Sequence, residues 1–352
     1  MALLLGANGT PAGQVLDFPR RVPAGAYAQS FRWSEAPFII LRMATGLVYD
    51  SAYLQHRTGR HPENAERIRK ILETLEADTA LWESLVKLSP QPAQDQDITR
   101  CHCSRLIDHI HSLCESGESF VDMDTVICPE SFEVSKLAAG AAVALVDAVM
   151  TGQVDNAFAL VRPPGHHATP DTAMGFCLFN NAAIGARYAQ ARYGVERVAI
   201  IDWDVHHGNG TQDIFYSDPS VFYFSTHQYP YYPGTGGLDE RGEGRGQGFN
   251  LNIPLSAGTR AQLHREVFNQ GLKILEEKLP PDLIIISAGF DSRRGDPLGG
   301  LMLEDSDFTE MTRLVLDLAD AHSARVVSIL EGGYNLSALG ETVRTHIQAM
   351  SS

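Results

Sequence analysis

From about residue 157 to the C-terminus, short apolar runs rich in β-branched residues alternate with longer segments of helical periodicity. Short apolar runs between turn residues are typical of buried strands. Strands that alternate with helices form a mostly parallel sheet with helices on both faces, so we predict an α/β fold. The predicted strands are residues 46–49, 157–161, 198–202, 221–225, 249–253, 283–288 and 325–330. The predicted helices are residues 62–77, 104–115, 134–150, 181–193, 212–216, 260–278, 305–320 and 336–350.

Residues 1–42 differ from the rest of the chain in composition. Gly, Pro and Ala are frequent there, arginines are scattered, and apolar periodicity is poor. Such a segment is typical of a flexible extension, with an organelle transit peptide as the alternative. We therefore predict a flexible extension over residues 1–42 and a single domain over residues 43–352.

Charge, cysteine content and hydropathy exclude several classes of protein. The net charge of −15 argues against a general nucleic-acid-binding surface. Five scattered cysteines without a CxxC pair indicate reduced thiols in a cytosol-like compartment. The group around Cys101 and Cys103 fits no common zinc module, and no apolar run is long enough to span a bilayer. We predict a cytoplasmic protein that binds neither nucleic acid nor membrane.

Polar clusters follow four of the predicted strands, each at the carboxyl end. In a parallel α/β sheet these ends meet at one edge, where ligands bind. We therefore expect the four clusters to form one site. They are Arg162 to His167, Asp202 to Thr211, Gly289 to Asp291, and Glu331 to Tyr334.

Asp204 and His206 lie two residues apart after a strand, so in extended backbone their side chains leave the same face. Asp291, at the end of another strand, is the natural third ligand. Two carboxylates and one imidazole suit a catalytic Zn²⁺ that keeps an open position for water.

Proton transfer in such a site requires a base and an acid, and His166 and His167 follow a proline-stiffened turn where they can supply both. Asp202 and Asn209 are the candidate partners that orient the two rings. Tyr334, in a Gly-Gly-Tyr turn, can donate its hydroxyl to a developing oxyanion.

Taken together, these motifs resemble the zinc-dependent histone deacetylase family, over roughly residues 46–350. That family includes bacterial histone-deacetylase-like amidohydrolases and acetylpolyamine amidohydrolases, and Asn209 and Trp203 resemble its class II branch. The matching motifs are RPPGHH (162–167), GFC (175–177), DWDVHHGNGT (202–211), SAGFD (287–291) and EGGY (331–334).

The resemblance implies a three-layer arginase/deacetylase-like fold and a Zn²⁺ on Asp204, His206 and Asp291. It implies that His167 is the main general base and acid, with His166 as its electrostatic partner, and that Tyr334 polarises the carbonyl. It also implies a narrow substrate tunnel, whose residues are Gly175, Phe176, Tyr232 and Leu298. The family's structural K⁺ sites match two sets of residues: Asp202, Asp204, His206, Ser225 and Thr226, and then Phe215, Asp218, Val221 and Phe249.

These residues predict a deacetylase that hydrolyses the acyl amide of lysine-type substrates. Small N-acetyl amines, including acetylpolyamines, are the alternative, but Leu298 stands where the polyamine-specific relative has a glutamate, which favours acyl-lysine peptides or proteins. A two-metal ureohydrolase is disfavoured, because this sequence lacks the further carboxylates that would bridge a second metal. A non-catalytic acyl-lysine binder is the remaining alternative, and no catalytic residue is missing to support it.

Overall fold

Eight strands form a single sheet in the computed structural model, which describes residues 43–352. They are β1 (Thr45–Val48), β2 (Val86–Leu88), β3 (Asn156–Ala159), β4 (Val198–Asp202), β5 (Val221–Gln228), β6 (Asn250–Leu255), β7 (Leu283–Ala288) and β8 (Arg325–Leu330). Their order across the sheet is β2-β1-β3-β8-β7-β4-β5-β6, and all neighbours are parallel. This confirms the predicted α/β fold with a parallel sheet. The predicted extension, residues 1–42, lies outside the described residues.

Helices connect the strands and cover both faces. They are α1 (Ala65–Ala77), α2 (Thr79–Ser84), α3 (Asp95–Ile98), α4 (Ser104–Ser116), α5 (Ser131–Met150), α6 (Asn181–Tyr193), α7 (Asn209–Phe215), α8 (Ala261–Lys278), α9 (Asp305–His322) and α10 (Leu339–Met350). Short 3₁₀ turns lie at Ser51–Gln55 and Gly244–Gly246. Side-chain caps define some helix starts, since Asn64 accepts a hydrogen bond from the N–H of Glu66 at the start of α1.

Two hydrophobic cores lie on opposite faces of the sheet. Along β7, Leu283 and Ile285 pack into one core, with residues of α4, α5 and α6. Ile284 and Ile286 pack into the other, with residues of α1, α8, α9 and α10. Because alternate residues of a strand point to opposite faces, a strand buried on both sides is apolar throughout. The result is the predicted three-layer arrangement.

The structure differs from the prediction mainly in short elements. β2, α2 and α3 were not predicted, and β2 has one buried residue among three, which leaves no readable apolar pattern. Helix α7 begins at Asn209 rather than at residue 212, and β5 extends to Gln228. The start of α7 and the end of β5 consist of polar residues and a glycine. Apolar periodicity therefore does not reveal the helix or the strand at these two places.

In residues 43–352, no helix combines the length and apolar character needed to cross a membrane. All five cysteines are free thiols.

The strands that precede the four predicted clusters are adjacent in the sheet. β3, β8, β7 and β4 lie side by side at its centre, although they are far apart in the chain. Their carboxyl ends are in register, with Asp202 opposite Ser287 and Ser287 opposite Ile329. This order brings the four clusters to one edge.

Candidate metal and acid–base site

A carboxylate–imidazole–carboxylate group lies at the carboxyl edge of the sheet. Asp204 and His206 come from the segment after β4, and Asp291 comes from the segment after β7. All three are buried, and one ligand atom from each lies within 4.8 Å of the others. Within the described part of the chain, this is the one group of three or more His, Cys, Asp or Glu side chains so arranged. Cys101, His102 and Cys103 form no such group.

The side chains of this group fit a metal ion. Oδ2 of Asp291 is buried without a hydrogen bond. Nδ1 of His206 lies 3.0 Å from Oδ1 of Asp204 and 3.4 Å from Oδ2 of Asp291. Burial and the carboxylate of Asp204 raise the pKa of Asp291 to about 7. Two buried carboxylates that close together are costly unless a cation neutralises them, and this donor set is one that Zn²⁺ accepts.

Two glycines make room for the carboxylates. A Cβ at Gly332 would overlap Oδ2 of Asp291, and a Cβ at Gly289 would overlap Oδ2 of Asp204. The N–H of Gly332 donates to Oδ2 of Asp204 at 2.8 Å, and the N–H of Val205 donates to Oδ1 of Asp291 at 2.8 Å. Backbone donors from the segments after β8 and β4 therefore fix both carboxylates, and Oδ2 of Asp291 keeps no hydrogen bond.

The adjacent histidines after β3 have different partners. Nδ1 of His166 lies 3.0 Å from Oδ2 of Asp202, whereas Nδ1 of His167 lies 2.8 Å from Oδ1 of Asn209. Burial opposes a charge on His166, but Asp202 and Asp204 raise its pKa to about 10. Burial, with His166 and His206 nearby, lowers the pKa of His167 well below its ordinary value. One imidazole of the pair thus faces a carboxylate that favours its charged form, and the other faces an amide oxygen that can accept its Nδ1 proton.

The turn that carries the two histidines is anchored by a buried glutamate. Oε2 of Glu331 accepts the N–H of Gly165 at 2.6 Å and that of His166 at 3.2 Å. Oε1 accepts the hydroxyl of Ser287 at 3.1 Å. Glu331 follows β8, Gly165 and His166 follow β3, and Ser287 belongs to β7. Hydrogen bonds of this one carboxylate therefore connect the ends of three neighbouring strands.

Tyr334 is held against the same site from two sides. Its ring lies over the guanidinium of Arg67, 4.9 Å from the ring centre. Nε of Arg67 donates to the carbonyl of Gly333 at 2.7 Å, and another of its nitrogens donates to the carbonyl of Glu331. The N–H of Tyr334 donates to Oδ2 of Asp296 at 2.7 Å. Side chains from α1 and from the loop after β7 therefore determine where the Gly-Gly-Tyr turn lies.

A cavity of about 190 Å³ opens above these groups. All four predicted substrate-contacting residues line it, together with His166, His167, His206 and Tyr334. Asp124, Pro164 and Tyr231 complete the lining. The ring of Tyr232 meets that of His167 edge-on at 5.1 Å, and the ring of Tyr231 stacks on His206 at 5.4 Å. The cavity is therefore a narrow aromatic passage that ends at His166, His167 and His206.

Phe176 forms one wall in a strained backbone conformation. Its φ is 69°, a left-handed value that non-glycine residues rarely adopt. Its N–H donates to Oγ1 of Thr125 at 3.2 Å, and its ring meets His61 edge-on at 4.4 Å. The preceding Gly175 is also left-handed, and a Cβ there would crowd the ring of His167. The carbonyl of Gly175 accepts the thiol of Cys177 at 3.3 Å.

The residues predicted for K⁺ divide into two regions. The first set lies at the carboxyl ends of β4 and β5, where Asp202 is opposite Ser225. Oγ of Ser225 is 2.8 Å from Nδ1 of His227, and Oγ1 of Thr226 is 3.0 Å from Nε2 of His264. The second set surrounds the turn after α7, where Asp218 pairs with Arg187 at 2.6 Å. The side chain of Asp218 thus already pairs with the guanidinium of Arg187. The presence of K⁺ at either set of residues stays a prediction.

Sequence analysis missed four residues that shape the site. Arg67, Asp124 and Asp296 belong to segments outside the four strand-end clusters, and Glu331 was quoted only as part of a motif. The sequence contained a partial indication for Arg67. Glu63 and Arg67 are spaced i,i+4, as in a helical ion pair, and Arg162 follows a predicted buried strand. All three side chains are fully buried together, with Arg162 Nε 2.7 Å from Oε1 of Glu63.

Comparisons with known proteins agree with this architecture. Residues 61–350 match the model of the histone deacetylase domain. The chain is 42% identical to the histone deacetylase-like amidohydrolase of Pseudomonas aeruginosa over 278 residues, which covers 78% of this chain and 72% of that protein. It is 39% identical to a probable deacetylase of Archaeoglobus fulgidus over 298 residues, which covers 84% and 82% of the two chains.

A solved structure shows the same fold. The crystal structure of the HDA15 HD domain superimposes with a TM-score of 0.80 at 36% identity, and the match covers 88% of each chain. The family match spans most of the chain, and the predicted resemblance is confirmed. This protein belongs to the histone deacetylase family.

Proposed function

We propose that the protein is a zinc-dependent deacetylase that hydrolyses the acyl amide of lysine side chains in peptides or proteins. Asp204, His206 and Asp291 would hold the ion. When bound, Zn²⁺ supplies Lewis-acid polarisation of the amide carbonyl and acidifies a water molecule. The observation that carries the proposal is the pair of adjacent histidines beside this carboxylate–imidazole–carboxylate group, one facing the carboxylate of Asp202 and the other facing the amide of Asn209.

His167 is suited to be the base that takes a proton from the attacking water. Burial and the neighbouring histidines lower its pKa, which favours the neutral ring, and a hydrogen bond from Nδ1 to Asn209 leaves Nε2 as the acceptor. After the C–N bond breaks, the same nitrogen returns the proton to the leaving amine. The products are a carboxylic acid and a free amine.

His166 and Tyr334 stabilise the charge that develops in this reaction. The imidazolium of His166, paired with Asp202, provides a positive charge beside His167, with ring centres 4.0 Å apart. The hydroxyl of Tyr334 donates to the carbonyl oxygen as it becomes an oxyanion. Arg67, stacked on the Tyr334 ring, holds this donor in place.

The shape of the cavity supports a linear acyl-amine substrate. Phe176 and Tyr232 give it aromatic walls, which suit an alkyl chain, and Leu298 gives it an apolar side. An apolar residue at this position provides no counter-ion for a second ammonium, which favours acyl-lysine over acetylpolyamine.

A small N-acetyl amine is the second candidate, and one observation favours it. Asp124 lines the cavity beside these walls, and its partly buried carboxylate offers a counter-ion to a distal ammonium. Asp122 is its acidic neighbour in the same loop.

A single assay separates these candidates. Zinc-loaded protein is incubated with a fluorogenic acetyl-lysine peptide and, in parallel, with N-acetylputrescine, each with and without a chelator. We expect chelator-sensitive turnover, with kcat/KM higher for the peptide. Higher kcat/KM for N-acetylputrescine would favour the second candidate. Binding of the peptide without turnover of either compound would leave a non-catalytic acyl-lysine binder.

A further inference from the structure

The carboxylate of Asp296 links two walls of the cavity. It is buried, and it accepts three backbone N–H groups. Oδ2 accepts from Tyr334 at 2.7 Å and from Asn335 at 2.9 Å, and Oδ1 accepts from Leu298 at 2.9 Å. Leu298 and Tyr334 both line the cavity. One side chain therefore holds the backbone of the apolar wall and the backbone of the proposed oxyanion donor.

These bonds join two separate loops. Asp296 and Leu298 lie after β7, whereas Tyr334 and Asn335 lie after β8. The side-chain amide of Asn335 donates back to the carbonyl of Gly295 at 3.0 Å, which adds a second link between the loops. Because a tyrosine hydroxyl lies far from its backbone, a small rotation at the N–H of Tyr334 displaces the hydroxyl considerably.

The loop after β7 does not need Asp296 for its closure. The N–H of Arg294 donates to the carbonyl of Leu303 at 2.8 Å, and the N–H of Leu303 donates to the carbonyl of Ser292 at 3.2 Å. Asp305 then fixes the loop to the body of the protein, since it accepts from Nε of Arg293 at 2.8 Å. The contacts of Asp296, by contrast, are directed at the two cavity walls.

We propose that Asp296 is a positioning residue that sets the location of the Tyr334 hydroxyl and the spacing between Tyr334 and Leu298. The inference rests on the proposed deacetylase function, because Asp296 acts there through Tyr334 without touching the substrate. A carboxylate suits this role, since three N–H groups converge on its two oxygens. An asparagine at the same position offers a single acceptor oxygen and turns its amide nitrogen towards donors.

The first test compares Asp296→Asn with a matched control, Asp305→Asn, using the acetyl-lysine peptide and the zinc-loaded protein. We expect kcat of Asp296→Asn to fall by roughly 10- to 100-fold, as is usual when a reacting group is displaced by about an ångström. KM should change far less. Asp305→Asn removes the charge of a half-buried carboxylate at the start of α9, which pairs with Arg293 of the same loop, so we expect a lower melting temperature and an unchanged kcat.

The decisive measurement places Asp296→Asn in a Tyr334→Phe background, with product followed over hours at high enzyme concentration. If Asp296 acts through the hydroxyl of Tyr334, the double variant should be as active as Tyr334→Phe alone. A further fall of the same size as in the wild-type background, or a wild-type kcat in Asp296→Asn, would overturn the proposal. Should Asp296→Asn fail to fold, Asp296→Glu provides the same two comparisons, since it keeps the charge and displaces the oxygens by one methylene.

Failure of the proposed function is recognised separately. A zinc-loaded wild-type protein that turns over neither the peptide nor N-acetylputrescine would reject the deacetylase function, and the role of Asp296 with it. An active wild-type protein with an equally active Asp296→Asn would reject only the role of Asp296.

Discussion

The side-chain oxygen of Asn209 lies 2.8 Å from Nδ1 of His167 and determines which nitrogen of that ring carries the proton. The amide nitrogen of Asn209 is turned towards Sδ of Met174, 3.5 Å away, which fixes the orientation of the amide. His166, one residue earlier, has a carboxylate as its partner. Two neighbouring rings thus receive different electrostatic environments.

Replacing Asn209 tests this orientation. We expect Asn209→Ala to lower kcat by roughly 10- to 100-fold, the usual effect of losing the group that orients a functional histidine. Asn209→Asp keeps an acceptor oxygen in the same place and should retain activity within about tenfold of wild type. Equal activity of Asn209→Ala and wild type would show that the ring needs no such partner.

Removal of the Tyr334 hydroxyl tests the oxyanion donor. Tyr334→Phe should lower kcat by about 10²- to 10³-fold, as is found when one oxyanion donor is lost. The melting temperature should change little, because the ring still packs on Arg67. Tyr193→Phe removes a hydroxyl that donates to Asp147 far from the site, and it should leave kcat unchanged. Wild-type turnover in Tyr334→Phe would contradict the assigned role.

Metal content tests the carboxylate–imidazole–carboxylate group independently of activity. We expect about one Zn²⁺ per chain and a melting temperature that rises when zinc is added to chelated protein, because a ligand that binds only the folded state stabilises it. Asp291→Ala should lose both effects. Asp282→Ala, which removes a surface partner of Arg197, should keep both. Unchanged zinc stoichiometry in Asp291→Ala would place the metal elsewhere.

A charge at Leu298 should alter substrate preference. Leu298→Glu adds a carboxylate to the cavity wall, where it can pair with the distal ammonium of an acetylpolyamine. The ratio of kcat/KM for N-acetylputrescine to that for the peptide should rise by roughly two- to fivefold, the range expected for a partly exposed ion pair. Leu298→Gln, of similar size without the charge, is the matched control. An unchanged ratio in Leu298→Glu would remove Leu298 as a specificity residue.

Buried histidines away from the site predict acid sensitivity of the fold. Burial lowers the pKa of His264 and of His346 to about 3, from an ordinary value of 6.5. The unfolded chain therefore binds protons that the folded protein excludes between these values, so stability is complete above about pH 6.5 and is lost as the pH falls. Each histidine should contribute a slope of up to about 1.4 kcal/mol per pH unit in this range.

Urea unfolding at pH 7 and pH 5 measures this slope. His346 lies between the hydroxyls of Thr312 and Ser328, at 2.7 and 2.9 Å, and His346→Gln should give a shallower pH dependence. His109→Gln changes an exposed ring and should match wild type. Equal stability of the wild-type protein at both pH values would contradict the prediction.

Much of the candidate site was predictable because its chemistry is encoded in short segments. Asp204 and His206 lie two residues apart, and His166 directly precedes His167, so their juxtaposition needs only local geometry. The contacts of Arg67 and Asp296 were not predictable in this way. Arg67 is 266 positions from Gly333, and Asp296 is 38 positions from Tyr334. No local pattern indicates partners at such distances.

The sequence alone determined the alternation of buried strands and helices, and the polar clusters that end four strands. These follow from hydrophobic periodicity and from the turn residues, which act within a few positions of the chain. Tertiary structure alone decided that β3, β8, β7 and β4 are neighbours, and that Arg67, Glu331 and Asp296 hold the segments that follow them. The reason is physical: strand order and buried hydrogen-bond partners result from how the whole chain covers both faces of the sheet.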